Sequence, residues 1–183
     1  MSSTRERALN AAVDLVGSHG IRALTHARVD AHAGLPPGST SNHFRTRAAL
    51  LGGVASWIAE EETRDLGAVL AQPFDDVDGF IDLFSTGIEL LTGRFAVRTR
   101  ARYALFLEAA ADPALFAPLR AQREGFEAWS RSLLVSLGAR DPDTALHAFM
   151  AFGDGILLHR LTIDPEAPVR PSVDAAVRGL LGG

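Results

Sequence analysis

The stretch Pro37-Gly38-Ser39-Thr40-Ser41-Asn42-His43-Phe44 sets hydroxyls, an amide and an imidazole on consecutive positions. Hydroxyls bond phosphates or base edges, and an asparagine amide pairs in bidentate fashion with adenine, so one short helix carrying this set has groups that position a nucleic acid and groups that read it. Pro37 is pre-set for a first helical position, Gly38 lets the backbone come close to a sugar-phosphate wall, and Phe44 is the apolar anchor. Composition alone favours the plainer reading of a turn, because clusters of Ser, Thr and Asn usually mark turns. Other chemistry is scarce. Groupings of Ser, His and Asp fall on this stretch or are widely scattered. No His-Glu-x-x-His motif or phosphate-cradling glycine loop occurs, and His147 and His159 are too far apart for one i, i+4 metal pair. The absence of cysteine excludes disulfides, thiolate metal ligands and cysteine nucleophiles. The sequence therefore predicts no enzyme, with no catalytic residue, metal site or cofactor.

The elements that must hold this stretch are helical throughout. Apolar residues at Ala8, Leu9, Ala12, Val13, Leu15 and Val16 give one buried face of a first helix over 4–18, with Gly20 as its stop. Thr25 can cap a short second helix running to Ala33, and Gly34 ends it. A third helix follows over 37–44, and Thr46 caps a long fourth to about residue 70 carrying Leu50, Leu51, Val54, Trp57 and Ile58. Breaks at Pro73, Gly93, Asp112-Pro113, Gly138 to Pro142, and Asp164 to Pro171 leave five more helices, near 76–92, 94–111, 113–137, 142–163 and 172–181. Two breaks read as an Asp cap followed by proline in the first turn. Neither period-two segments nor hairpin turns occur, and no fixed-period repeat is evident. The fold class is all-α with about nine helices.

At 183 residues and 47% apolar, the chain can bury a real core, and no apolar run is long enough to span a bilayer. Residues Met1 to Arg7 lead directly into amphipathic sequence with no signal-peptide pattern, so the expectation is a cytoplasmic protein without membrane partners. The net charge of −4 hides an asymmetry. Residues 1–50 hold six Arg against Glu6, Asp14 and Asp30, about +3, whereas the remainder holds twelve Arg against nineteen acids, about −7. Four of the six histidines, His19, His26, His32 and His43, also lie in this head. A basic head on an acidic body suits a polyanion held at one end, although so small an excess also arises by chance.

Order sharpens the reading. Arg7-Ala8-Leu9-Asn10-Ala11-Ala12, Gly20, Leu24-Thr25, Val29 and the run from Ala33-Gly34-Leu35-Pro36 through His43-Phe44-Arg45-Thr46-Arg47-Ala48-Ala49-Leu50-Leu51 together resemble the DNA-binding domain of the TetR (tetracycline repressor-like) family. The resemblance covers about a quarter of the chain. It implies a three-helix, helix-turn-helix DNA-binding domain over 1–50 and a helical ligand-binding and dimerisation domain over 51–183. It implies DNA contacts from Thr25, His26 and Arg28, from Pro37, Gly38, Ser39, Thr40, Ser41, Asn42 and His43 on the recognition helix, and from Arg47. Thr25 and Arg47 would bind phosphates; Ser39, Thr40, Asn42 and His43 would face the groove, with base readout assigned first to Asn42. The chain departs from its relatives by carrying Ser41-Asn42-His43 where aromatics are common before Phe44, and Asp30 where a small apolar residue is usual. Asp30 implies an internal hydrogen bond or a shifted helix.

In the body, apolar stripes with aromatic content are core by default. The resemblance implies in addition a small-molecule effector pocket among the fourth to seventh helices, with Trp57, Phe84, Arg102, Tyr103, Phe106, Trp129 and His147 as candidate lining. Arg94, Arg98 and Arg102, spaced by four, read as a solvated helix face or, more sharply, as a site for an acidic ligand. The resemblance also implies a homodimer formed by the last two helices through Phe149, Phe152, Gly153, Ile156, Leu157, Arg160, Val173, Val177 and Leu180, with close helix approach offsetting the propensity cost of Gly153 and Gly155. Asp154, in an apolar helix, reads as a partner of Arg160 or His159, or as a buried anchor or proton donor. The function implied is a ligand-responsive regulator, a repressor released from a pseudo-palindromic double-stranded operator by a small molecule. The alternatives are a helical small-molecule-binding protein or a helical-bundle enzyme whose head does not bind DNA.

Overall fold

The computed structural model describes residues 2–108 and 116–182. Among them every long regular element is an α-helix: α1 (Thr4–His19), α2 (His26–Ala33), α3 (Ser39–His43), α4 (Arg47–Leu70), α5 (Val77–Thr92), α6 (Ala96–Glu108), α7 (Ala117–Ser136), α8 (Pro142–Thr162) and α9 (Val169–Gly182). One 3₁₀ turn, Ile21–Ala23, separates α1 from α2. The expected break at Asp112-Pro113, and the helix ends expected around it, lie outside the described residues.

The chain packs as two compact units, residues 1–63 with 96–121, and residues 64–95 with 122–183. This grouping differs from a single cut after residue 50, because α6 packs on α1. In the first unit, Ser3 and Glu6 close a capping box at the start of α1: the Ser3 hydroxyl accepts the Glu6 amide at 3.2 Å, and the Glu6 carboxylate accepts the Ser3 amide at 2.7 Å. The buried face of α1 runs from Ala8 and Leu9 through Val16 to Gly17. A Cβ at Gly17 would stand 2.0 Å from the carbonyl oxygen of Val97, so α6 can approach α1 this closely only over a glycine. Arg100 secures the contact, its Nε donating to the Gly17 carbonyl at 3.0 Å. Leu9, Leu24, Leu50, Ile58 and Leu105 are fully buried in this core, each worth about 1.5–3 kcal/mol of removal from water.

In the second unit, Asp76 caps α5 by accepting the Gly79 amide at 2.9 Å, and Asp141 caps α8 by accepting the Thr144 amide at 3.2 Å, with Pro142 at the first helical position. Helices α5, α8 and α9 pack on one another around Phe80, Phe84 and Phe149; the Phe84 and Phe149 rings lie 4.5 Å apart and Phe80 lies 5.8 Å from Phe149. Val169, Val173 and Val177, one turn apart on α9, close this core. Helix α9 begins three residues earlier than its apolar pattern suggests. Pro171 falls in its first turn, where an amide has no intrahelical acceptor, so the proline costs nothing there.

Candidate nucleic-acid interface

The short segment from Thr25 to Thr46 builds a helix, a turn and a second, very short helix. Thr25 is extended, and its hydroxyl accepts the Arg28 amide at 3.3 Å, fixing the start of α2. At the other end Gly34 takes the left-handed conformation (φ 61°, ψ 37°), and the Leu35 amide returns to the Asp30 carbonyl at 2.8 Å. Arg7 of α1 pins this turn by donating to the carbonyls of Ala33 and Gly34 at 2.8 and 3.2 Å. The next turn carries the Ser39 amide to the Pro36 carbonyl at 3.1 Å and places Gly38 at φ 88°, a conformation that favours glycine. Helix α3 is therefore shorter than expected, starting at Ser39 instead of Pro37 and ending before Phe44, which is extended and nearly buried. Beyond it, Thr46 accepts the Ala49 amide at 3.0 Å and starts α4.

Ser41, Asn42 and His43 stand exposed on α3, as do Pro37 and Gly38 before it, and Thr25, Arg28 and Arg47 beside it. Ser39 is half-buried and donates its hydroxyl to the Pro36 carbonyl at 2.6 Å. Two expected contacts behave otherwise. Thr40 is 0% exposed and faces inward, its hydroxyl donating to the Asp30 carboxylate at 2.5 Å, so it has no surface to offer a groove. His26 is half-buried, with its Nε2 2.6 Å from the Phe44 carbonyl. Arg47 reaches back to the Ile21 carbonyl at 3.1 Å while staying exposed. Arg22 and Arg45 also stand exposed in this unit; only the head's charge excess signalled them.

Asp30 is the residue that sequence reasoning left open, and its answer is the internal hydrogen bond. Its carboxylate, 3% exposed, accepts the Gly38 amide and the Thr40 amide, each at 2.8 Å, besides the Thr40 hydroxyl. Burial pushes the carboxyl pKa up. The hydrogen bonds from the Thr40 side chain, the Thr40 amide and the Gly38 amide, with the charge of His26, outweigh it and hold the group below its ordinary value.

The candidate effector residues divide between the units. In the first, the Trp57 indole donates to Asn10 at 2.9 Å, Arg102 pairs with the fully buried Glu62 at 3.1 Å and lies 5.1 Å over the Tyr103 ring, and Phe106 packs half-buried on the core. Arg94 is exposed, but Arg98 and Arg102 are partly buried, which corrects the reading of one solvated arginine face. In the second, Phe84 and Trp129 flank Phe80, whereas His147 is exposed, with its Nδ1 2.7 Å from the Asp143 carbonyl of its own helix. A cleft of about 360 Å³ in this unit is lined by Val69, Pro73, Phe74, Asp76, Leu83 and Thr86 among others, and none of the effector candidates lines it.

Of the candidate dimer residues, Phe149, Val173 and Val177 are 0% exposed inside a single chain and so belong to its own core. Gly153, Ile156 and Leu157 are also buried, Phe152 and Leu180 half-buried, and half-buried Arg160 bonds Thr92 at 2.9 Å and the Ala167 carbonyl. The outward face of α8 instead carries Ala148, Ala151, Gly155 and Leu158. Asp154 forms a two-point ion pair with Arg123 of α7, at 2.9 and 3.2 Å.

The sequence of residues 75–183 matches the family model described as tetracycline repressor-like, C-terminal domain. The chain belongs to the TetR family of transcription regulators. Solved TetR-family structures match nearly the whole chain: one, SCO1917 from Streptomyces coelicolor A3, is 29% identical with a TM-score of 0.71 and covers 98% of this chain and 99% of its own. The multidrug binding protein EbrR, complexed with ethidium, is 30% identical with a TM-score of 0.66 and covers 97% and 98%. A transcriptional regulator from Rhodococcus sp. Rha1 shares the fold more closely, with a TM-score of 0.81 over 99% of this chain and 97% of that one, at 19% identity. No significant match was found among curated proteins. Membership in the TetR family makes the chain a transcription regulator of all-α fold, in a family of non-enzymatic DNA-binding proteins. No helix among the described residues is long and apolar enough to cross a membrane.

Proposed function

We propose that this TetR-family regulator is a homodimeric, cytoplasmic repressor that holds a pseudo-palindromic operator through residues 1–50 and releases it when a small molecule binds residues 51–183. The observation that carries the reading is the exposure of Ser41, Asn42 and His43 together on a helix anchored from behind by buried Phe44 and Thr40. Asn42 reads bases, Ser41 and His43 assist, and Thr25, Arg28 and Arg47 take phosphates at the margins. Pro37 and Gly38 bring the backbone to the groove wall, and Ser39 contributes at its edge.

Pairing through α8 is supported by its exposed small and apolar face, Ala148, Ala151, Gly155 and Leu158. In a single chain, a Cβ at Gly155 would meet no atom within 4 Å, which leaves room for a second helix. A two-fold dimer reads two half-sites whose centres lie about 34–36 Å apart. That EbrR is described with ethidium supports a small-molecule effector for this chain also. Release then requires the effector to bind one arrangement of the heads better than the other. Selection of duplexes from a random pool, repeated with candidate small molecules, tests the proposal: one recurring inverted repeat whose recovery falls with an effector supports it. A pool that stays random rules it out.

A further inference from the structure

Helix α3 is five residues long, barely more than one turn, and its cap position is Gly38, which has no side chain to cap it. A helix this short does not hold itself in water, since the cost of its first turn is not recovered by propagation. Something outside α3 must fix it, and the fixing groups come from α2. His26 and Asp30 lie four residues apart, hence on the same face one turn from each other. Asp30 takes the two amides and the hydroxyl at the front of α3, acting as an N-cap supplied by a different helix. His26 holds the Phe44 carbonyl just past the other end.

We propose that His26 and Asp30 are positioning residues that set the angle at which α3 meets base edges, and so set the base preference of the regulator without touching a base. The proposal rests on the DNA-binding reading above. With the Gly38 and Thr40 amides committed to Asp30, two donors at the front of the recognition helix are already satisfied, and its share of the contact is the reading by Ser41, Asn42 and His43. Loosening the clamp lets these side chains wander while leaving Arg28, Arg47 and Arg45 on the surface for phosphates. The consequence is loss of discrimination with retention of non-specific binding, a pattern that loss of folded protein cannot mimic, because fewer folded molecules weaken both kinds of binding alike.

The test uses the full chain and two duplexes: the one the wild-type protein selects from a random pool, and a shuffled duplex of the same composition. Asp30→Asn keeps the shape but turns an amide donor toward amide donors. The ratio of specific to non-specific affinity is expected to fall by about tenfold or more, with binding to the shuffled duplex nearly unchanged and the Gly38 and Thr40 amides losing protection from hydrogen exchange. Thr40→Ser, which keeps the hydroxyl, is expected to behave as wild type, and Thr40→Val and His26→Gln to lose part of the ratio. An unchanged ratio in Asp30→Asn overturns the proposal; if that variant does not fold, unchanged ratios in both Thr40→Val and His26→Gln overturn it equally. A wild-type protein that selects no duplex defeats the DNA-binding reading itself, a result distinct from either.

Discussion

Replacing Gly17 with alanine adds one carbon where the backbone of α6 already passes. The new Cβ would stand 2.0 Å from the Val97 carbonyl oxygen and 2.8 Å from its carbon, whereas favourable contact between heavy atoms begins near ~3.5 Å. The obstacle is backbone and cannot rotate away, so α6 must withdraw by more than about 1 Å, straining the Arg100 bond to the Gly17 carbonyl. Overpacking of this kind costs about 1–3 kcal/mol, and a backbone clash belongs at the upper end. Alanine returns about 1 kcal/mol through its better helix propensity, leaving a net loss of about 2 kcal/mol. For a chain of this size that lowers Tm by about 4–8 °C. Gly67→Ala is the matched control. Gly67 is exposed within α4, where a Cβ would meet nothing within 4 Å, so only the propensity gain remains and Tm rises by about 2–4 °C. Thermal unfolding followed by circular dichroism separates the two; a Gly17→Ala protein as stable as wild type would refute the close packing of α6 on α1.

Removing one partner of a buried ion pair leaves the other uncompensated, so Glu62→Ala should destabilise by about 3–5 kcal/mol in denaturant titrations, and a loss within experimental error would show that Arg102 finds water. Asp30 titrates below its ordinary value of 3.8 in the folded protein, so its contribution is complete above the unfolded-state pKa and disappears as pH falls through the folded one. The stability gap between wild type and Asp30→Asn should accordingly stay constant from pH 7 to about 5 and close below about 4; a gap that opens on acidification contradicts the sign. Arg47→Ala should weaken binding to all duplexes alike and flatten the salt dependence, whereas Asn42→Ala should relax preference at one base position by about 1–3 kcal/mol; uniform loss from both sinks the division of roles.

What was legible in the sequence is what short-range rules govern. Thr25, Thr46 and the Asp141-Pro142 pair cap helices as their types dictate, Gly34 ends α2, and Phe44 is buried behind the recognition helix. What escaped depended on residues distant along the chain. Thr40 reads in the sequence like its exposed neighbours, because nothing in its own segment shows that Asp30, ten residues earlier, turns it inward. The i, i+4 spacing of Arg98 and Arg102 resembles a solvated face until Glu62, forty residues away, supplies a buried partner for Arg102. Asp154 likewise finds Arg123 on another helix, thirty-one residues earlier in the chain. On α8, Phe149, Ile156 and Leu157 turn into the chain's own core while Ala148, Ala151, Gly155 and Leu158 stand exposed, a division that apolar type alone does not reveal.

The most direct measurement is interference footprinting of the selected duplex, with methyl groups placed in the major groove one base at a time. Two patches of interference should appear on one face of the duplex, their centres about 34–36 Å apart, and the Asn42→Ala protein should lose one position from each. Interference confined to phosphates, with every major-groove methyl group tolerated, would mean that α3 never enters the groove.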